Sequence, residues 1–121
     1  MNVFYQIDDV PFVENSIITI GTFDGIHRGH QQVLKKLKND YLTTGRRPIV
    51  ITFDPHPQII VQRTDKPEMH LLTTITERLE LFEQHEVENV LVIDFTYEFS
   101  KYEPEEFIET IFNKIGFKKI L

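Results

Sequence analysis

The chain contains no cysteine, which excludes a disulfide framework and any thiolate chemistry. It also lacks an apolar run near the roughly 20 residues that a membrane-spanning helix needs. No basic stretch followed by an apolar one opens it, so neither a membrane partner nor a signal peptide is expected. Positive charge is scarce, with 13 Lys and Arg against 19 Asp and Glu and a formal net charge of −6. That balance argues against gripping nucleic acid by bulk electrostatics, and no nucleic-acid partner is expected. A nucleotide pocket, which needs only a few local donors, is still allowed. Internal repeats, cysteine–histidine metal spacings and a Gly-x-x-x-x-Gly-Lys-Ser/Thr loop are all missing, and no protein metal site is expected. Ser16 and Ser100 lack the elbow context of a nucleophile.

What is present is an ordinary globular composition. The 121 residues are 40% hydrophobic and 26% charged, enough for one core and too few for two. Cytoplasmic residence fits these features, and the oligomeric state is left open. Short β-branched runs alternate with amphipathic segments. Ile17 to Ile20 reads as a strand, and Val33, Leu34 and Leu37 follow at helical spacing. Thr43-Thr44-Gly45 closes that helix, and Pro48 introduces a second strand, Ile49 to Phe53. A long irregular stretch from Asp54 to about Thr73 precedes Thr74 and Glu77, a capping-box pair. These open a helix with Ile75, Leu79 and Phe82 on one face.

Val90 to Ile93 is a third buried strand. Pro104 suits a first helical turn, Phe107, Ile108, Ile111, Phe112 and Ile115 form the next apolar stripe, and Gly116 stops it. Lys119-Ile120-Leu121 begins another strand, and Val3 to Ile7 could add an edge strand. This alternation predicts an α/β fold, a Rossmann-like parallel sheet with helices on both faces. Ligands of such sheets lie beyond the carboxyl ends of the strands. Gly21 to His30, Asp54 to Pro57 and Asp94 to Thr96 would then open on one rim.

The segment Gly21-Thr22-Phe23-Asp24-Gly25-Ile26-His27-Arg28-Gly29-His30 stands where a strand hands over to a helix. Residues three apart share a helix face, so His27 and His30 can address one ligand. Gly29 has no Cβ and lets that ligand approach the backbone. The free N–H groups of a helix start favour an anion, so the arrangement suits a phosphate. Arg28 lies inside the motif, whereas Lys35, Lys36 and Lys38 read as a solvated helix face. Asp54-Pro55-His56-Pro57 holds a histidine between two prolines that stiffen the backbone. That histidine is equally readable as part of a rigid solvated loop. The apolar stretch after it, with Ile59, Ile60, Val61, Met69, Leu71 and Leu72, could cover a flat aromatic ligand. His70 and His85 have no partner at ligand spacing and read as surface or partly buried residues. Glu103, Glu105 and Glu106 complement a helix start.

His27-Arg28-Gly29-His30 resembles the His-x-Gly-His signature of the nucleotidyltransferase superfamily. That signature alone also admits cytidylyltransferases and other adenylyltransferases. Phe53-Asp54-Pro55-His56-Pro57 narrows the choice, as do Leu71-Leu72-Thr73-Thr74 running into Glu77-Arg78-Leu79-Glu80-Leu81. Val90 to Phe95 and then Glu105-Glu106-Phe107 complete the series. In this order it is similar to the N-terminal FMN adenylyltransferase domain of the prokaryotic bifunctional riboflavin kinase/FAD synthetase family.

The resemblance implies adenylyl transfer from ATP to FMN, giving FAD and pyrophosphate with Mg²⁺ assistance. It implies His27 and His30 as the catalytic phosphate donors, with Gly21, Thr22, Phe23, Asp24 and Gly29 on the ATP side. Asp24 serves either the turn or the metal shell. Asp54, Pro55, His56 and Pro57 fall on the flavin-phosphate side. The family's later Phe-x-Phe-Gly loop, its serine-and-arginine triphosphate motif and its riboflavin kinase domain are not among these residues. Residues 1–121 are therefore expected to be the N-terminal part of the adenylyltransferase domain, incomplete at its C-terminus. The rival readings are a non-catalytic nucleotide-binding fragment and another transferase with the same signature.

Overall fold

The computed structural model describes residues 1–23, 28–54 and 74–121. Its strands are β1 (Asn2–Phe4), β2 (Ser16–Ile20), β3 (Arg47–Asp54), β4 (Asn89–Asp94) and β5 (Lys119–Ile120). Its α-helices are α1 (Arg28–Thr44), α2 (Ile75–Gln84), α3 (Tyr97–Ser100) and α4 (Pro104–Lys114), with a short 3-10 turn at Ile7–Asp9. The strands form one five-stranded sheet in the order β1-β4-β3-β2-β5, and every pairing is parallel.

Continuous apolar strands are buried because both faces of the sheet are covered. Ile17, Val50, Val90 and Val92 pack on one side with Leu34 and Leu37 of α1 and Phe82 of α2. Ile18, Ile49, Ile51, Leu91 and Ile93 point the other way, against Phe107 and Ile111 of α4 and Ile115 just beyond it. The expected doubly covered parallel sheet is what the chain forms.

The stops act where the sequence placed them. Gly45 takes φ 74° after α1, and its N–H bonds to Tyr41 O at 2.9 Å. Gly116 takes φ 84° after α4, where a Cβ would come within 2.8 Å of the Val13 carbonyl oxygen. The Thr74 capping box closes from both sides, Glu77 N to Thr74 Oγ1 at 3.1 Å and Thr74 N to Glu77 Oε1 at 3.3 Å.

Three expectations need correction. The N-terminal edge strand ends at Phe4, and Ile7 lies in the 3-10 turn. Strand β3 starts at Arg47, ahead of Pro48, because the Arg47 N–H is taken by Asn15 O at 2.9 Å. Phe112 is 51% exposed and does not belong to the buried stripe. The sheet contacts only the arc carrying Phe107 and Ile111, so Phe112 faces outward and meets Phe117 edge to face, 5.4 Å between centroids. Lys35 and Lys36 are exposed, as expected of a solvated face, and Lys38 pairs with Glu86.

Candidate functional site

Strands β2, β3 and β4 succeed one another in one direction across the sheet, and β5 returns to the opposite side of β2. The order therefore reverses beside β2, and in open α/β sheets ligands bind outside the carboxyl ends at such a point. Gly21, Thr22 and Phe23 leave β2 there, and Gly29 and His30 stand in the first turn of α1. Gly29 is exposed and His30 half-buried. Asp54 ends β3 directly beside Asp94, which ends β4. The strand-end positions Gly21, Asp54 and Asp94 thus share one rim. Asp24, His27, Pro55, His56 and Pro57 lie outside the described residues, as do His70 and the stretch from Pro55 to Thr73.

Phe23 is the hinge of the β2 exit. Its φ is 53°, a region in which a bulky side chain is an outlier. The ring is held by burial at 3% exposure and by two neighbours. Its centroid lies 5.0 Å from the His30 imidazole and 5.5 Å from Phe82. Gly21 allows this placement, since a Cβ there would stand 3.1 Å from Phe23 Cε2. Backbone strain of this kind costs about 1–3 kcal/mol and persists where the surroundings fix it. The His30 imidazole packs against the same ring.

The second organiser is Arg78 of α2, fully buried at 0% exposure. Its Nη1 lies 2.8 Å from Thr22 O, 3.0 Å from Thr52 Oγ1 and 2.9 Å from Phe53 O. Its Nη2 is 3.7 Å from Asp54 Oδ1, on a carboxylate 40% exposed to solvent. Thr52 Oγ1 donates to the same Thr22 carbonyl at 2.9 Å. A buried charge is tolerated only with such partners. Sequence reading gave Arg78 no role, although a signal existed: a guanidinium falls within the apolar stripe of Ile75, Leu79 and Phe82.

On the β3 side, Phe95 N bonds to Asp54 O at 3.2 Å, closing the β3 and β4 ends together. Phe53, Phe95, Phe99 and Phe107 form a ring cluster behind them, with centroid separations of 5.4–6.3 Å. No group of three or more His, Cys, Asp or Glu side chains gathers as a metal cage among the described residues. None of the described helices is long and apolar enough to cross a membrane.

A parallel sheet with this reversal and a glycine-bearing exit loop defines a doubly wound, Rossmann-like α/β domain. The chain belongs to the FAD synthetase family, whose profile matches residues 10–121. It is 34% identical over 95 residues to the bifunctional riboflavin kinase/FMN adenylyltransferase of Listeria monocytogenes, covering 78% of this chain and 30% of that one. The Bacillus subtilis protein of the same name is 34% identical over 94 residues, covering 78% and 29%. That of Escherichia coli K12 is 32% identical over 101 residues, covering 84% and 32%. The chain thus spans about a third of the length of these curated relatives. A solved structure named a macrolide-efflux protein, from Streptococcus pneumoniae, superposes with a TM-score of 0.81 at 24% identity, over 98% of this chain and 45% of that one. At that identity the likeness speaks for the fold alone.

Proposed function

We propose that this chain forms the N-terminal part of an FMN adenylyltransferase domain, and that the protein carrying it makes FAD. A phosphate oxygen of FMN attacks the α-phosphorus of ATP in line. A new P–O–P bond forms, the bond from the α-phosphorus to the bridging oxygen breaks, and pyrophosphate leaves. Such transfers depend on positioning and charge stabilisation more than on covalent catalysis.

In this reading His27 and His30 donate to phosphate oxygens as charge moves toward the pyrophosphate. Losing one such donor costs roughly 3 kcal/mol of transition-state stabilisation. Gly21, Thr22, Phe23, Asp24 and Gly29 serve the ATP side, and Asp54, Pro55, His56 and Pro57 the flavin-phosphate side. Mg²⁺ enters with ATP as part of the substrate; it keeps several waters and binds through phosphates with few carboxylates. The rest of the domain and a riboflavin kinase domain correspond to the relatives' length that this chain does not span. The reaction belongs in the cytoplasm, and no nucleic acid takes part.

The observation that carries this reading is His30 in the first turn of α1, packed on Phe23 where the strand order reverses. The test is FAD and pyrophosphate formation by the complete protein from FMN and ATP. His30→Ala is expected to lower the rate at least about 100-fold. Undiminished FAD production by that variant overturns the assignment. Nucleotide binding without turnover in the wild type would instead make the domain a binding module, and a preference for CTP over ATP would make it a cytidylyltransferase.

A further inference from the structure

The β2 exit and the β3 end lead to the two halves of the candidate site, and one side chain holds both. Among the described residues, Arg78 Nη1 has three acceptors within hydrogen-bond distance, Thr22 O, Thr52 Oγ1 and Phe53 O. A guanidinium Nη carries two hydrogens, so at least one is shared between acceptors. The first acceptor is the backbone leaving β2 and the last is the backbone of β3 one residue before Asp54. Nη2 of the same planar group faces the Asp54 carboxylate at 3.7 Å. Thr52 lies between, fully buried, and its hydroxyl joins Arg78 to the Thr22 carbonyl a second way.

We propose that Arg78 is a positioning residue for adenylyl transfer, setting the Thr22 segment and the Asp54 segment in register with each other. This rests on the reading of the site as an FMN adenylyltransferase, in which the first segment serves ATP and the second the flavin phosphate. Arg78 touches neither substrate. It fixes the separation of two carbonyls, and through them the two loops that bring attacking oxygen and α-phosphorus together. Cutting the tie removes neither the Thr22 segment nor the Asp54 segment, so binding of either substrate alone is expected to change little. Mutual alignment suffers, and a misplacement of about 1 Å from a distant change can cost about 100-fold in rate. The effect therefore falls on kcat rather than on KM. The acceptors need donors rather than the particular shape of a guanidinium, so an ammonium at this position restores most of the function.

The experiment compares wild type, Arg78→Gln, Arg78→Lys and Thr52→Val in the complete protein. It measures steady-state FAD formation together with calorimetric stoichiometry for ATP and for FMN. Arg78→Gln is expected to lower kcat at least about 30-fold, with each KM within about 3-fold and full binding stoichiometry. Arg78→Lys is expected to recover kcat to within about 5-fold of wild type. Thr52→Val keeps the volume, removes the shared hydroxyl and is expected to lower kcat about 5-fold; it decides the matter should Arg78→Gln not fold. A purely structural arginine predicts otherwise: stoichiometry falling in step with kcat, and no selective recovery by lysine. Either that pattern or an unchanged kcat in Thr52→Val overturns the positioning role. Absence of FAD formation by the wild type overturns the adenylyltransferase reading itself, and this role with it.

Discussion

The imidazole of His30 lies 5.0 Å from the ring of Phe23, tilted by 50°. The first turn of α1 is therefore braced by the residue whose left-handed backbone, φ 53°, ends the exit from β2. A histidine that is to donate to a phosphate, the role proposed for His30, needs a fixed ring. Phe23 supplies that by standing on Phe82 of α2, 5.5 Å away and edge on. Strain in the backbone and placement of the histidine are two sides of one packing arrangement.

Phe23→Leu tests this coupling. Leucine keeps an apolar side chain in the same buried place but loses both ring contacts. Replacing the buried ring by the smaller leucine leaves some unfilled space, so the protein is expected to remain folded with a lower urea midpoint. If His30 acts as proposed, FAD formation by the complete protein is expected to fall about 10-fold, because a loosened donor loses transition-state contact before it loses ground-state binding. KM for FMN should stay near the wild-type value. A variant that lost stability yet kept full kcat would separate Phe23 from His30.

Much of this fold was legible because its strands are buried on both faces. Ile17 to Ile20, Ile49 to Phe53 and Val90 to Ile93 are nearly uninterrupted apolar runs, and each became a strand. The rim followed from the rule for parallel sheets, so the strand ends Gly21, Asp54 and Asp94 could be placed at one edge from order alone. Arg78 was not legible in that way. Its acceptors Thr22 O and Phe53 O lie 56 and 25 residues away in the chain, and only the folded sheet brings them to one guanidinium. The left-handed Phe23 was hidden for a related reason. Nothing local asks a phenylalanine to adopt positive φ; burial against α1 and α2 imposes it. Phe112 shows the opposite error, in which helical periodicity widened the buried face beyond the arc the sheet can cover.

The end of α2 offers a stability test with a definite pH dependence. Glu86 follows the helix with φ 61°, while its N–H bonds to Glu83 O and that of Val87 to Phe82 O, both at 3.0 Å. These are the paired bonds of a Schellman ending, in which glycine is the favoured residue. The Glu86 side chain instead pairs with Lys38. The hydrogen bond and charge of that ammonium hold its carboxyl below the usual carboxylate range. A depressed carboxylate stabilises above its unfolded pKa, and that contribution is lost as pH falls through the folded value.

Glu86→Gly removes the left-handed penalty and the exposed ion pair together, and it loosens the unfolded chain as well. The backbone gain is the larger, because exposed pairs contribute little. Thermal midpoint is expected to rise by about 2 °C at pH 7. The rise should grow as pH falls below the ordinary glutamate range and through the lowered folded pKa of Glu86, where the wild type also loses the pair. A gain that shrank on acidification would mean the ion pair is not what opposes the glycine.

Pro48 sits second in β3, a strand flanked on both sides, where proline removes a ladder donor. Its carbonyl is satisfied from β4, by Asn89 Nδ2 at 2.9 Å, and Asn89 Oδ1 in turn accepts from Asn2 Nδ2 at 3.1 Å. One buried amide thus links β1, β4 and β3 at their amino ends, far from the rim. Asn89→Ala removes the side-chain donor to the Pro48 carbonyl and is expected to cost about 1 kcal/mol. Asn89→Asp is nearly the same shape but at neutral pH can only accept, so it turns a charge toward that carbonyl and should cost more than alanine. Burial raises the new carboxyl's folded pKa above its unfolded value. The penalty is then full at pH 7 and shrinks as pH falls through the folded pKa, where the protonated acid can donate to Pro48 O. Urea unfolding of both variants at pH 7 and near pH 5 reads this directly. Aspartate should be the weaker at pH 7 and close the gap to alanine at pH 5, and a pH-independent order would mean that donation to Pro48 is not what Asn89 supplies.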